Sequence, residues 1–139
     1  MMTQNKLFHF ELVSPERKLI SEEAYMVTLP GTEGDVGVLA GHMALVTTVR
    51  VGIVDVVRAQ GGAKERIFVA GGFADISQKN CTLLAEEAIP VVALDMQKLV
   101  KEKETLNDDL SFADNGEEKM RITKRMSVVN AMIEAVQAA

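Results

Sequence analysis

The 139-residue chain has one cysteine, two histidines and three prolines, and each shortage removes a class of protein from consideration. A lone thiol, Cys81, cannot close an internal disulfide, and its setting in CTLLA suits a buried small hydrophobe in a reducing compartment. The two histidines, His9 and His42, would have to converge with carboxylates from distant segments to hold a metal ion, so no metal site is expected. No apolar run approaches the roughly 20 residues that span a bilayer, so direct membrane insertion is not expected. The opening MMTQNKL has neither the apolar core of a signal peptide nor the arginines of a transit peptide, and the chain reads as soluble and unprocessed. Basic charge is also scarce. Fifteen Lys and Arg stand against 20 Asp and Glu, a net charge of −5 that argues against a nucleic-acid partner. The one basic cluster, Lys119, Arg121, Lys124 and Arg125, reads as a solvated helix face.

Catalytic constellations are missing too. No serine lies in a G-x-S-x-G elbow, and Cys81 has no candidate base near it in sequence. Gly31, Gly34 and Gly37 are spaced G-x-x-G-x-x-G, which is neither the dinucleotide fingerprint nor the phosphate loop, so their task is turn geometry. The paired acids Glu22-Glu23, Glu86-Glu87 and Asp108-Asp109 read as solvated surface. No catalytic residue is expected, and a small enzyme is the weakest of the functional readings.

What is present is unevenly distributed. Nine of the ten glycines and five of the six aromatics fall in the first 73 residues, whereas the remainder is rich in Lys, Glu, Leu, Met and Ala. The boundary is placed between Glu86 and Pro90, giving a β domain over 1–88 and a helical domain over 89–139. KLFHFELV sets Phe8, Phe10 and Leu12 on one strand face and Leu7, His9 and Glu11 on the other. After the SPER turn, strand-like runs follow at 24–29, 35–39, 44–49, 53–58, 65–70, 73–77 and 82–85. Turns are read at Gly52, Gly61-Gly62 and 78–80, and Gly71-Gly72 marks a bulge or a close strand contact. Seven or eight short strands at this spacing predict an antiparallel sandwich or barrel. From Leu94 the period becomes helical: Met96, Leu99, Leu106 and Leu110 form one stripe behind a cap at Asp95, and Ile122, Met126, Val129, Ile133 and Val136 form a second. Such a two-helix hairpin is too small to stand by core burial alone, so it must dock on something. A permanently docked appendage and a switch between two docks both fit. The most distinctive segment is GTEGDVGVLAGH over 31–42, a contact loop in which glycines shape the backbone and Glu33, Asp35 and His42 leave a polar edge.

Taken together, FELVSPERKLIS (10–21), GTEGDVGVLAGHMALVTTVRVGIV (31–54), FVAGGFADI and CTLLAEEAI resemble, in order and spacing, the epsilon subunit of bacterial F-type ATP synthase over nearly the whole length. The resemblance implies an α+β protein, a β-sandwich of about ten strands followed by a helical hairpin. It implies a noncatalytic rotor subunit of the central stalk on the cytoplasmic face of the membrane, bound to the gamma subunit and the c-ring. By position Glu33 and Asp35 would face the polar loops of the c-ring, and His42 would lie near the rotor interface. The hairpin would be able to extend into the catalytic alpha/beta head and block ATP hydrolysis, with Arg121, Lys124 and Arg125 meeting acidic surface there. Some members bind ATP on the folded hairpin. The matching positions here are Leu94, Asp95, Lys98 and Leu99 with Arg121 and Arg125, but Lys98 stands for an arginine and loses bidentate phosphate contact, while Leu99 stands for an alanine and adds bulk. Weak or absent ATP binding follows, and no other cofactor is implied. A free nucleotide-sensing module built on the same hairpin is the alternative reading.

Overall fold

The computed structural model describes residues 6–138, so the opening five residues, on which the unprocessed reading partly rests, and the outer ends of both expected domains lie outside the described residues. Two compact units meet in sequence between Pro90 and Val91.

The first unit holds eight strands: β1 (Phe8–Val13), β2 (Lys18–Ala24), β3 (Met26–Gly31), β4 (Gly34–Leu39), β5 (Leu45–Val57), β6 (Lys64–Ile76), β7 (Asn80–Ala85) and β8 (Ala88–Pro90). They are hydrogen-bonded in the order β2-β1-β7-β6-β5-β3-β4, with β8 on β6. The two 13-residue strands each serve both layers. The first half of β6 pairs with β8 at Ile67–Val69, and its second half pairs with β7 at Gly72–Ile76. Beyond β5, the pairing passes to β3 only in the later part of the strand, apart from the single Gly31–Val49 partnership. One layer is therefore β2-β1-β7 with the end of β6 and the start of β5, and the other is β8 with the start of β6, the end of β5, β3 and β4. Counted by layer, eight continuous strands supply ten strand segments, the number the family resemblance implies.

The fold turns at Gly71 and Gly72. Gly71 has φ +104°, a left-handed backbone, and a Cβ on Gly72 would run into the carbonyl oxygen of Leu84 on β7. The close contact read into this glycine pair is thus what allows β6 to change partners. Phe10 and Leu12 from one layer meet Leu29, Val54, Ile67 and Val69 from the other in a single buried cluster. The faces of β1 follow the sequence alternation, with Phe8, Phe10 and Leu12 buried.

Four features differ from the sequence reading. Gly52 is not a turn; it lies within β5 opposite Val69. The runs at 65–70 and 73–77 are one strand, because two glycines bend it without breaking it. β1 and β7 pair in parallel, so the sandwich is not wholly antiparallel. β2 and β8 went unanticipated, the first because its Lys18, Glu22 and Glu23 mask its alternation and the second because it has only three residues. Both lie at layer edges, where charge, shortness and proline discourage pairing with other chains.

The second unit is a single 3-10 turn (Val91–Ala93), α1 (Met96–Ser111) and α2 (Gly116–Ala138). Asp95 caps α1 as expected, its Oδ1 accepting from the N–H groups of Gln97 (3.0 Å) and Lys98 (3.4 Å). Asn115 does the same for α2, accepting from Glu118 N–H at 2.8 Å, a cap the sequence reading missed. The buried stripe of α2 is Ile122, Val128, Val129, Met132 and Ala135, rotated from the expected seam, with Met126, Ile133 and Val136 only half-buried.

Candidate functional site

The hairpin between β3 and β4 turns on Thr32-Glu33 and closes between Gly31 and Gly34. A Cβ on Gly31 would come within 2.6 Å of the Gly34 carbonyl oxygen, and Gly34 itself takes φ +128°, so side chains are excluded from both sides of the turn. Glu33 therefore stands exposed at a narrow tip. Asp35 follows on β4, where its Oδ1 accepts from Nη2 of Arg50 at 3.1 Å. The same guanidinium donates from Nε to the Gly31 carbonyl at 2.9 Å. Arg50, absent from the sequence reading, thus ties both ends of the turn to β5.

His42 lies apart from these acids, past the other end of β4, which by strand rise is about 13 Å from Asp35. Its Nδ1–H donates to the Met43 carbonyl (2.7 Å), and the N–H of Gly41 donates to the Gln78 carbonyl (2.8 Å), which ties this loop to the turn between β6 and β7. The contact loop seen in sequence is two separate points joined by an edge strand.

A third surface was not anticipated. On the outer face of the first layer, the register aligns Val13, Leu84, Phe73 and Thr48 in one row across β1, β7, β6 and β5. Phe73 is 57% exposed and Leu84 53%, and Val46, two residues from Thr48, is 69% exposed. The face becomes polar along β1 and β2. There His9 Nδ1–H donates to Glu23 (3.2 Å), Ser21 donates to His9 Nε2 (3.2 Å), and Lys18 sits 2.7 Å from Glu11. The Lys18 hydrogen bond holds the Glu11 carboxyl below the usual range. Exposed apolar side chains adjacent on neighbouring strands, with a polar border on a well-formed sheet, are the profile of a docking face. The strict alternation of FADI, with Ala74 and Ile76 buried, carried the clue that Phe73 points outward.

In the helical unit, Leu94 is half-buried after the 3-10 turn, the Asp95 carboxylate is engaged in capping, Lys98 is exposed and Leu99 is buried. Arg121 is exposed, and Arg125 lies one turn further along α2. Arg125 Nε donates to Glu102 Oε2 at 2.7 Å and Nη2 to Oε1 at 3.3 Å, a bidentate pair that ties α2 to α1 one turn beyond Lys98. Because the helices are joined by a four-residue connection and run antiparallel, Arg121 is level with a point about 12 Å further along α1 than Lys98.

Elsewhere, burial, with a smaller contribution from Asp75, pushes the Cys81 thiol up to about 12, which leaves it protonated and inert at neutral pH. Among the described residues, no group of three or more His, Cys, Asp or Glu is placed to hold a metal ion.

Residues 7–91 match the family model for the β-sandwich domain of the ATP synthase delta/epsilon chain. The ATP synthase epsilon chain of Paramagnetospirillum magneticum is 42% identical over 127 residues, covering 91% of this chain and 95% of that protein. The epsilon chain of Rhizobium johnstonii is 44% identical over 83% of this chain and 84% of its own length. Among solved structures, a chain of the Euglena gracilis mitochondrial ATP synthase, in an assembly of OSCP, F1 and c-ring, superimposes with a TM-score of 0.78 at 25% identity, covering 94% of this chain and 81% of that one.

Proposed function

The chain belongs to the delta/epsilon chain family of ATP synthase, and from that premise we propose how this noncatalytic stalk subunit engages its neighbours: the outer sheet face docks on the gamma subunit, and the Thr32-Glu33 turn meets the c-ring. The observation that carries the reading is the exposed apolar pair Phe73 and Leu84, set in one row with half-buried Val13 and with Thr48 and flanked by exposed Val46. A sheet face of this kind suits the apolar side of a long helix, whereas a narrow glycine-built tip bearing Glu33 and Asp35 suits polar loops, to which short acids present acceptors at low ordering cost. His42, beside the exposed Met43 at the far end of β4, lies toward the gamma side of the same interface. Among the described residues no helix is long and apolar enough to cross a membrane. The subunit is held to the membrane through the complex, on its cytoplasmic face.

The helical hairpin acts as the regulatory arm, extending toward the alpha/beta head with Arg121 and Lys124 as its leading charges. Nucleotide binding by the hairpin is weak or absent. Arg125 is engaged by Glu102, Leu99 occupies buried space, and Arg121 is offset along the hairpin from Lys98. An ATP titration followed by amide NMR is expected to show no saturation below millimolar concentration, and saturation at micromolar concentration refutes this part of the reading.

The docking face is tested by titrating gamma with a Phe73→Ser, Leu84→Ser chain. Each side chain contributes about 1 to 2 kcal/mol of apolar burial, so affinity should fall about a hundredfold with the fold intact. An unchanged affinity refutes the docking face.

A further inference from the structure

The turn that carries Glu33 is held from outside its own hairpin. β3 and β5 share ladder pairs at Met26–Thr28 and again at Gly31, and the register shifts between Thr28 and Gly31 around Pro30, which has no N–H to give. Gly52 lies beneath this gap on β5. A Cβ at Gly52 would come within 3.0 Å of the Pro30 ring and 3.3 Å of Nη1 of Arg50, so the bare glycine leaves room for the guanidinium beside the proline. From that shelf Arg50 donates Nε to the Gly31 carbonyl and Nη2 to the Asp35 carboxylate, one partner on each side of Thr32-Glu33.

We propose that Arg50 is the positioning residue of the contact turn: it clasps both stems of the turn so that Glu33 is presented in one conformation, with the Asp35 carboxylate fixed beside it. The clasp rests on the reading of this turn as a ring contact for its functional consequence, though not for its structural one. The planar guanidinium suits this task because two nitrogens held apart in fixed geometry address two separated acceptors, which an ammonium can reach only from a single point.

The test compares full-length Arg50→Ala and Arg50→Lys with the unmodified chain in two readouts. One is amide hydrogen exchange over residues 31–36 of the free chain, and the other is proton pumping per ATP hydrolysed in membranes reassembled with each chain. Glu33→Gln serves as an independent probe of the contact itself. In Arg50→Ala, exchange at the turn should rise about tenfold, the change expected from losing one net hydrogen bond and one exposed ion pair. Its pumping should fall, its thermal midpoint should drop by no more than the several degrees the same loss predicts, and Arg50→Lys should restore part of both readouts. Unchanged exchange in Arg50→Ala overturns the proposal, even where Glu33→Gln still depresses pumping. Accelerated exchange with pumping untouched by Arg50→Ala and Glu33→Gln alike overturns the ring-contact reading and leaves Arg50 as the holder of the turn.

Discussion

At position 81 a thiol sits fully buried beneath the first layer, and burial pushes it from 9.0 up to about 12. The unfolded chain ionises this group above pH 9 while the native chain does not. The stability it contributes is therefore whole below pH 9 and is lost progressively as pH rises toward 12. At pH 8, a thiol reagent should label Cys81 no faster than the domain unfolds; rapid labelling of the native protein contradicts the burial. Phe10 is equally enclosed, and Phe10→Ala should cost about 4 kcal/mol, a large share of the 5 to 15 kcal/mol typical of a whole domain, read as a shift in the urea midpoint. Residue roles were legible in the sequence where alternation was strict, as in FHFELV, and illegible where a side chain acts through space. Nothing in the order of residues joins Arg50 to Asp35, because that pairing exists only once β5 lies beneath the turn.

Elements were easier to read in kind than in extent. The helices and their break were visible from period and composition, and the Asp95 cap from its position; Asp95→Ala should lower stability of the helical unit by about 1 kcal/mol, seen as lost helicity in circular dichroism on warming. The rotation of the α2 stripe was not visible, since Val128 and Met132 lie as near to helical spacing as Met126 and Ile133. Among strands, glycine misled once and guided once. Gly52 resembled a turn but clears space within a strand, whereas Gly71-Gly72 marked the bend itself. Replacing Gly72 with alanine forces the new methyl into the Leu84 carbonyl, and a loss of about 3 kcal/mol in a urea titration is expected. A variant as stable as the parent argues that β6 and β7 pass less closely.

Across the whole molecule, the division into a sandwich and a hairpin was legible from glycine and aromatic content alone, yet its functional cut point was not. β8 runs to Pro90 and pairs with β6, so a truncation at Glu87 would strip an edge strand. Truncation after Ala93 keeps the sandwich whole. If the hairpin restrains the enzyme, a complex reassembled with the truncated chain should hydrolyse ATP faster; an unchanged rate leaves the hairpin without an inhibitory role. We propose that the sandwich by itself carries the rotor contact through the outer row containing Phe73 and Leu84. The deciding measurement is calorimetric titration of gamma with the full chain and with residues 1–93. Equal affinity for the two is predicted, and a truncated sandwich that folds but no longer binds gamma contradicts it.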